Sequence, residues 1–415
     1  MNRPFTVCLM HPMDPRGRKL GGIETHVRLI LAHHPEDFRI IFVGVDEIGD
    51  LALGQLQTID YAGRQIDFLP VARIGSDAIN LAGTSLLRST TFRFASGALR
   101  HLPALRRALA GTGATADLQR FEFALIAGLL GLKTVQMVHG EGRKDQKMDS
   151  LIRKLWFLHR LNETVALTRA SAIFCVNGTI IKRLKVILPK AAKKAVVMSV
   201  SVETDRFAAA AFADTDGPYR LVFAGRLDEF KDPPLMFKVV AALHKRLKGA
   251  LEFHYAGTTD PARYPEFDAI AGFTTRHGFL DASALAALYR SCHAGILTSF
   301  FEGMPCYLLE LLAVGRPFAA IRLPQYDPLI VAGVSGALVE RNAAEAVTVD
   351  ALCDAFVSLR HAMQSGTLAP DAIHALIEPY SVIAQMGRLF ERHRSLQRPA
   401  TRGTRFVTDQ DPQPG

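Results

Sequence analysis

The sequence predicts an α/β protein built from two Rossmann-like domains that face each other across a cleft. The chain has 415 residues, enough for two or three domains at roughly 150 residues each. Short apolar runs typical of buried strands alternate with apolar patterns of helical period, and this alternation favours parallel sheets covered by helices on both faces. It occurs twice, on either side of residues 208–218, which lack any long apolar period and are predicted to be a linker.

The first series of elements predicts an N-terminal domain at residues 1–207. Its first strand is followed by a glycine-rich loop that ends at Gly21 and Gly22, and then by a helical pattern over Ile23–His33. A compact strand–helix–strand unit is predicted farther along, with the apolar helix Phe123–Leu130 at its centre. The predicted strands are Phe5–Met10, Arg39–Val45, Ile66–Ala72, Asp117–Glu122, Lys133–His139, Ala172–Val176 and Val196–Val200.

The second series predicts a C-terminal domain at residues 219–379. A helix at 380–396 is expected to cross back to the first domain, and the polar tail at 397–415 is expected to be disordered. Two doubly wound domains in tandem place a substrate crevice between the carboxyl ends of their sheets. The predicted strands are Tyr219–Leu227, Leu251–Gly257, Gly278–Leu280, Ala294–Thr298 and Pro317–Ile321, and the predicted helices are Pro234–Leu247, Ala282–Cys292 and Pro305–Val314.

Composition excludes several classes of protein. Hydrophobic residues make up 49% of the chain and charged residues 21%, which excludes global disorder. The longest nearly unbroken apolar run, Phe123–Leu132, is about half the length of a transmembrane helix, and the short apolar stretch near the N-terminus argues against a secretory signal. The five cysteines are scattered and include no Cys-x-x-Cys pair, which argues against a disulfide framework or a zinc site and is typical of a cytoplasmic protein.

Positive charge is concentrated in one segment. The net charge is +9, and residues 143–194 contain thirteen Lys and Arg against three Asp and Glu. Such a patch attracts nucleic acid, acidic lipid headgroups or a phosphorylated substrate, although a solvated helical face is an equally good interpretation. Ser150–Arg169 mixes these basic residues with Leu, Trp156 and Phe157, and Leu99–Leu109 has a similar mixture. We expect peripheral contact with an anionic membrane, unless Trp156 and Phe157 pack in the core.

The first group of candidate site residues is the loop Gly21-Gly22-Ile23-Glu24-Thr25-His26 at the start of a helix. Glycines let the backbone approach an anion closely, and the N–H groups of a helix N-terminus attract phosphate. An ordinary turn would have the same sequence, so this loop alone does not define a phosphate site.

A second group follows a hydrophobic strand, in Gly225-Arg226-Leu227-Asp228-Glu229-Phe230-Lys231-Asp232. Arg226 and Lys231 leave the carboxyl end of that strand just before a helix, so they point into the predicted crevice. Two cations there could neutralise a diphosphate leaving group. Ion pairs with Asp228 or Asp232 are the alternative interpretation.

The third group, Ser299–Glu310, contains two carboxylates separated by seven residues. Pro305 suits the first turn of a helix, so Glu302 is predicted in the loop before it, where the helix dipole favours negative charge. Glu310 is predicted inside an apolar helix, where a buried carboxylate needs a partner. The vicinal hydroxyls of a sugar or ribose are suitable partners, although Glu310 could also be half-exposed at the domain edge.

The order and spacing of these groups resemble the retaining, nucleotide-sugar-dependent glycosyltransferases of family four, which have the two-Rossmann architecture called GT-B. The resemblance extends over some 300 residues. It is carried by the Glu-x₇-Glu pair in FEGMPCYLLELLAVGRPF, by GRLDEFKDP, by GGIETH, and by TVQMVHG, which ends a strand at His139.

This resemblance implies a role for each matching residue. Glu302 would contact the donor sugar, Glu310 the nucleotide ribose, and Arg226 and Lys231 the diphosphate, while His139 would line the cleft near the sugar. The backbone of Gly21, Gly22 and Gly225, together with Gly303 and Met304, would complete the donor site. The donor would be a UDP- or GDP-linked sugar, no metal or other cofactor would be required, and transfer would retain the anomeric configuration by a front-face mechanism.

Two positions depart from the family pattern. Ser199–Glu203 replaces a common Pro-Asn-Gly-Val-Asp stretch, and the loss of the turn-forming Asn-Gly changes the backbone options of that loop. Asn177 stands where a serine is common.

The expected acceptor is a saccharide or a lipid-linked sugar bound by the N-terminal half, as in the synthesis of bacterial surface polysaccharide or glycoconjugates. The alternatives are a nucleotide-sugar epimerase, a glycan phosphorylase, and a non-catalytic glycosyltransferase-like binding subunit. The basic segment also permits nucleic-acid binding, but no recognition motif supports a specific nucleic-acid partner.

Overall fold

The computed structural model describes residues 3–19, 21–79, 89–140 and 156–398. They form two α/β domains, each with its own central sheet. Of the tail predicted to be disordered at 397–415, residues 399–415 lie outside the described residues, as does the first part of the basic segment, residues 143–155. Gln397, the first residue of that predicted tail, instead ends the last helix.

The first domain is built on an eight-stranded sheet of order β3-β4-β2-β1-β5-β6-β7-β8, parallel throughout except for the antiparallel β3–β4 pair at its edge. Its strands are β1 (Phe5–Met10), β2 (Phe38–Asp46), β3 (Gln57–Tyr61), β4 (Arg64–Arg73), β5 (Thr115–Leu118), β6 (Lys133–Val138), β7 (Ala172–Cys175) and β8 (Ala195–Val197). Its helices are α1 (Gly22–Ala32), α2 (Ser76–Ile79), α3 (Thr90–Arg100), α4 (Leu102–Leu109), α5 (Ala124–Leu129), α6 (Trp156–Arg169), α7 (Gly178–Ile187) and α8 (Pro189–Ala192).

The second domain is built on a six-stranded, fully parallel sheet of order β11-β10-β9-β12-β13-β14. Its strands are β9 (Tyr219–Ala224), β10 (Leu251–Ala256), β11 (Thr274–Gly278), β12 (Ala294–Leu297), β13 (Phe318–Ile321) and β14 (Gly336–Val339). Its helices are α9 (Pro233–Arg246), α10 (Ala282–Ser291), α11 (Cys306–Ala313), α12 (Glu345–Gln364) and α13 (Pro370–Ala375). The predicted fold class, two Rossmann-like domains, is confirmed.

Strand order reverses at the centre of each sheet, at β1 in the first domain and at β9 in the second. Such switch points open a crevice at the carboxyl ends of the strands, because the connections on either side leave in opposite directions. In the second domain, the Tyr307 hydroxyl donates to the carbonyl of Val222 and accepts from the N–H of Ile296 at 3.3 Å. These bonds satisfy backbone groups where β9 and β12 diverge.

The last helix, α14 (Val382–Gln397), crosses back to the first domain. The crossing begins at a short bridge, in which the N–H of Val382 donates to the carbonyl of Val202 at 2.9 Å. The helix then packs along β1 and β5, with the ring of Phe390 4.8 Å from that of Phe38. At its end, the side chain of Gln397 forms two hydrogen bonds, of 3.0 and 2.9 Å, with the backbone of Thr6. The C-terminal helix is therefore part of the N-terminal domain's core.

Residues 208–218 form no helix or strand, but they are not loose. The fully buried guanidinium of Arg316 holds this stretch against the second domain, and the ring of Phe212 lies 4.6 Å from it. Arg316 donates five hydrogen bonds, at 2.6–3.3 Å, to the carbonyl groups of Ala210, Ala211, Arg290, Cys292 and Val314.

Several predicted boundaries differ from the structure. The strand expected at Asp117–Glu122 lies at Thr115–Leu118, and Glu122 falls in a short 3₁₀ turn. The strand expected to reach Leu227 ends at Ala224, because Gly225 has φ 137° and takes the chain out of the sheet. Pro305 precedes the first turn of α11 as its N-cap instead of lying within it. The strand expected at Gly278–Leu280 lies at Thr274–Gly278, because an edge strand tolerates the polar residues that obscured it.

We expect Arg316→Ala to lower the free energy of unfolding by about 3–5 kcal/mol, because it leaves several buried carbonyl groups without a donor. Urea denaturation followed by circular dichroism would measure this. The matched control is Arg276→Ala, since Arg276 is half-exposed and pairs only at the surface with Asp260. It should change stability by less than about 0.5 kcal/mol, and an equal loss in both variants would contradict the anchoring role.

Candidate functional site

A cleft of about 340 Å³ lies where the carboxyl ends of the two sheets face each other. The first domain contributes Gly21, Gly22 and Thr25, and the second domain contributes the rest of the lining. Of the residues predicted from the sequence, those that line the cleft are Gly21, Gly22, Gly225, Arg226, Lys231, Glu302, Met304 and Glu310. His139 and Gly303 lie beside the cleft instead of lining it.

Two helix N-termini meet at this cleft. The thiol sulfur of Cys306, the first residue of α11, is 3.9 Å from the carbonyl oxygen of Gly22, the first residue of α1. Gly21 has φ 152°, and a Cβ there would fall 2.2 Å from the Glu24 carboxylate, so the position requires glycine. The first N–H groups of both helices have no partner within the helix, and together with the helix dipoles they make this region favourable for an anion.

The cation of Lys231 is paired with a predicted site residue. Its Nζ is 2.9 Å from Oε1 of Glu302, and these side chains are 14% and 9% exposed. The hydroxyl of Ser299 donates to the same carboxylate oxygen at 3.0 Å, and the Lys231 ammonium lies 5.3 Å from the ring centre of Phe230. The two residues expected to contact diphosphate and sugar therefore touch each other in the cleft.

Arg226 is more open to solvent, with 58% of its side chain exposed and its guanidinium 3.1 Å from Asp228. The alternative interpretation of this cluster therefore holds in part: Arg226 has an acidic partner as well as a place in the cleft wall. Asp232 has different partners, since it caps α9 through the N–H of Leu235 and pairs with Arg341 at 2.7 Å.

Glu310 is half-buried on α11 and accepts a hydrogen bond from the Tyr289 hydroxyl at 3.2 Å. Burial raises the pKa of Glu310 to about 7, and the donor at Tyr289 offsets only part of that shift. Near neutral pH this carboxylate therefore needs one more favourable contact to be fully ionised.

His139 immediately follows β6, where its Nε2 is 2.6 Å from Oε1 of Gln119. Its backbone carbonyl lies so close to Gly303 that a Cβ on that residue would fall 2.0 Å from it. The amide of Asn177 donates to the Gly303 carbonyl at 2.8 Å. The first domain thus holds the loop that contains Glu302, and burial lowers the pKa of His139 well below its usual range.

Several contributors were not predicted from the sequence. Asn177, noted only as a departure from a serine, caps α7 through the N–H of Ile180 besides contacting the second domain. Phe279 and Leu280 line the cleft after β11, and Tyr289 lines it from α10. The sequence signal for Phe279 and Leu280 was their position after a strand, and the signal for Tyr289 was its position at the apolar end of a helix.

A buried ionic cluster supports the loop after β1. Glu24 accepts from His11 at 3.0 Å and lies 3.3 Å from the ammonium of Lys19, and all three side chains are nearly or fully buried. Burial alone would raise the pKa of Glu24, but the His11 hydrogen bond and the nearby positive charge outweigh it and hold that pKa well below its usual range. The cluster fixes the start of α1 at the cleft.

In the part of the chain that the structure describes, no group of three or more His, Cys, Asp and Glu side chains is arranged to hold a metal ion. Over the same residues, no helix has the length and apolarity needed to cross a membrane.

The family model matches the second domain, whereas the solved structures match nearly the whole chain. Residues 218–358, about a third of the chain, match the family model described as "Glycosyl transferases group 1". A D-inositol 3-phosphate glycosyltransferase from Arthrobacter sp. (strain FB24) is 28% identical over 141 residues, which are 31% of this chain and 32% of that protein. The match thus spans about a third of the length of this curated relative.

Solved structures match nearly the whole chain. Sucrose-phosphate synthase from Thermosynechococcus elongatus has a TM-score of 0.72 at 14% identity, over 94% of this chain and 100% of that one. HepE from Anabaena, in complex with UDP and glucose, has a TM-score of 0.65 at 10% identity, over 94% and 100%. At these identities the likeness concerns the fold, and it confirms the GT-B architecture.

We expect the stability contribution of Glu310 to fall as pH rises. Its pKa is about 7 in the folded chain against an ordinary 4.5, so the folded state binds more protons between these values and loses stability across that window. Relative to Glu310→Gln, the wild type should lose on the order of 2 kcal/mol from pH 4.5 to pH 7.

Thermal unfolding of both proteins over this pH range would measure the difference. Glu252→Gln is the matched control, because the Glu252 side chain is exposed on β10, and it should follow the wild type at every pH. A constant offset between wild type and Glu310→Gln would contradict the raised pKa.

Proposed function

We propose that this protein is a retaining glycosyltransferase that moves a sugar from a nucleotide-diphosphate-sugar to a saccharide or lipid-linked acceptor. The observation that carries the proposal is the composition of the cleft. One wall supplies the cations of Arg226 and Lys231, the opposite wall supplies the N-terminus of α1, and two carboxylates, Glu302 and Glu310, lie on the second-domain side. Its volume of about 340 Å³ is within the range of small-molecule sites.

The strand order of the second sheet supports an extended donor. The loops after β11, β10, β9 and β12 lie in a row about 5 Å apart, because these strands are neighbours. Along this row the cleft offers the apolar side chains of Phe279 and Leu280, then Gly257, then the two cations, and finally Glu302. An apolar end, a cationic middle and an acidic end fit a base, a diphosphate and a sugar in that order.

Glu310 and Tyr289 fit the ribose of such a donor. A carboxylate can accept two hydrogen bonds from a vicinal diol, and the Tyr289 hydroxyl already holds Glu310 in place. Donor binding would supply the contact that a half-buried carboxylate with a raised pKa lacks. HepE, which shares the fold, binds UDP with glucose, and this supports a UDP-linked donor without excluding GDP.

The proposed reaction breaks the bond between the anomeric carbon and the β-phosphate oxygen, and forms a bond from that carbon to the acceptor oxygen. The acceptor's proton passes to the departing phosphate oxygen on the same face of the sugar, which retains the configuration. Arg226, Lys231 and the N–H groups of α1 stabilise the charge that develops on the diphosphate, and this is the role that a divalent metal has in other enzymes. We therefore propose that no metal is required.

Covalent double displacement has less support from these side chains. Burial raises the pKa of the Cys306 thiol to about 12, so it is protonated at neutral pH and a poor nucleophile. The carboxylate of Glu302 is already bound by Lys231 and Ser299, which suits it to accept hydrogen bonds from sugar hydroxyls. Both observations favour the front-face reaction.

The first domain is the proposed acceptor side. The curated relative is named for transfer to a phosphorylated inositol, and the sucrose-phosphate synthase for a phosphorylated product. These names and the basic segment support a phosphorylated or lipid-linked acceptor, as in bacterial polysaccharide or glycoconjugate synthesis at the cytoplasmic face of a membrane.

The surface of α5 and α6 supports membrane contact. The sequence alone did not decide whether Trp156 and Phe157 contact a membrane or pack in the core. Phe157 is 82% exposed. Trp156 is half-buried beside Arg160. The two helices pack together, and their exposed apolar side chains are Leu125, Leu129, Phe157, Leu158 and Leu161.

The proposed activity is tested first with donors. Thermal-shift measurements with UDP, GDP, ADP and their hexose conjugates should show stabilisation by one nucleotide series, because a ligand that binds only the folded state raises the melting temperature. Product analysis with the stabilising donor should then show an α-linked product from an α-linked donor. Inverted product would contradict retention, and an altered free nucleotide sugar would indicate an epimerase.

Arg226→Ala and Lys231→Ala are each expected to lower kcat by about 100-fold, since each removes a charge from the leaving diphosphate. The KM for the acceptor should change little. Steady-state kinetics with purified variants would check this, with Lys238→Ala as the control, because Lys238 lies on α9 and pairs with Glu345 outside the cleft. Unchanged kcat in both variants would remove the leaving-group role.

Sedimentation with vesicles tests the membrane surface. A Phe157→Ser/Leu161→Ser double variant should bind anionic vesicles at least about threefold more weakly than the wild type, because it removes apolar area that would enter the interface. Ile383→Ser is the matched control, since Ile383 is equally exposed on α14. Equal, negligible binding of the wild type to anionic and neutral vesicles would end the membrane proposal.

A further inference from the structure

A continuous series of hydrogen bonds joins the C-terminal helix to His139. Nε2 of His393, on α14, is 3.1 Å from Oδ2 of Asp117. The other carboxylate oxygen of Asp117 accepts from Nε2 of Gln119 at 2.5 Å. Oε1 of Gln119 is in turn 2.6 Å from Nε2 of His139. We call these four side chains the relay.

The relay is sealed from solvent along most of its length. Asp117, Gln119 and His393 are each at most 3% exposed. Leaving a polar group unsatisfied at such a depth is unfavourable, so each member is held to the one hydrogen-bonding arrangement that satisfies its neighbours.

That arrangement fixes where the hydrogens lie. The NH₂ group of Gln119 donates to the Asp117 carboxylate, so the amide oxygen of Gln119 faces His139. An amide oxygen is also only an acceptor, and therefore Nε2 of His139 carries a hydrogen and donates it. Because burial lowers its pKa well below the usual range, His139 is neutral and its Nδ1 keeps a lone pair.

The far end of the relay is held by α14 together with β5 and β1. Nδ1 of His393 is 2.8 Å from the hydroxyl of Thr115 on β5. The same hydroxyl accepts from the side-chain amide of Gln397 at 3.0 Å, and Gln397 is tied to the backbone of Thr6 on β1. The orientation of Asp117 thus depends on a helix that enters the N-terminal domain from the other end of the chain.

We propose that Asp117, Gln119 and His393 are positioning residues that set the tautomer and the ring orientation of His139. This rests on the proposed function and on the place near the donor sugar that the family resemblance implies for His139. With its hydrogen held at Nε2, His139 offers the Nδ1 lone pair as an acceptor for a hydroxyl of bound substrate. It does not introduce a positive charge there. A carboxylate that fixes a histidine tautomer through a hydrogen bond is an established device in catalysis, and here an amide stands between the two.

Two variants test whether His393 and Gln119 act on His139 through the relay. His393→Phe removes the donor to Asp117 at the remote end, and Gln119→Met cuts the connection to His139. We expect His393→Phe to lower kcat about tenfold or more with little change in the donor KM, because a misplaced group far from the substrate still costs rate. In the Gln119→Met background the same substitution should have almost no further effect, since the relay is already interrupted.

The controls separate positioning from stability. His34→Phe makes the same change at another buried histidine of the first domain, whose Nδ1 bonds to the backbone carbonyl of Leu31 away from the relay, and it should leave kcat within twofold. If His393→Phe does not fold, Thr115→Val, which removes the partner of Nδ1 with little change in shape, takes its place. Equal loss of kcat in both backgrounds, or no loss in either, would overturn the proposal.

A spectroscopic measurement is independent of activity. Nitrogen-15 NMR of histidine-labelled protein, with the signal assigned by its loss in His139→Gln, should show His139 neutral and protonated at Nε2. Gln119→Met should shift it toward a mixture of tautomers. If the wild type transfers no sugar but shows this tautomer, the proposed function fails and the relay stands. An unprotonated Nε2 would overturn the relay whatever the activity.

Discussion

The pairing of Lys231 with Glu302 is the interaction on which the rest of the cleft depends. The two side chains come from loops at the carboxyl ends of adjacent central strands, and both are largely removed from water. Burying such charges singly would cost several kcal/mol. Paired, they hold the two loops at a fixed separation, and the hydroxyl of Ser299 and the amide of Gln325, which bonds the Glu302 carbonyl, add further restraint. An anionic ligand can then share Lys231 without the site having to be assembled first.

The two domains bring different polar groups to the cleft. The second domain pairs the charges of Lys231 and Glu302 on its own wall. Behind the first-domain wall lie the buried pair of Glu24 with Lys19 and two neutral histidines, because burial lowers the pKa of His11 and of His26 to about 4. The first-domain wall itself, formed by Gly21, Gly22 and Thr25, faces the paired charges with backbone N–H groups and a hydroxyl. The contact of Gly303 with the carbonyl of His139 and with Asn177 is where the two environments meet.

Much of the fold could be predicted from the sequence, because buried parallel strands such as β1 are continuous apolar runs with glycine-rich turns after them. The edges could not: β3 reads QTIDY and β11 reads TTRHG, and strands with one side open to solvent carry little apolar signal. The positions of the cleft residues followed from strand ends. Their partners did not, since Lys231 and Glu302 are 71 positions apart and His393 and Asp117 are 276 apart. A local sequence pattern does not encode contacts between residues so far apart along the chain.

The polypeptide passes between the two domains twice, once through residues 208–218 and again at the start of α14. Val202, a few residues before the first passage, forms backbone hydrogen bonds with Tyr380 and Val382 at the second. The two passages therefore share one side of the molecule, and the contact between Gly22 and Cys306 lies within the cleft that they flank. Two adjacent crossings between domains act as a hinge. They favour rotation of one domain relative to the other about the line that joins the crossings, and they resist sliding or twisting of the domains past each other. Rotation about that line would separate Gly22 from Cys306 on opening and bring the two back together on closure.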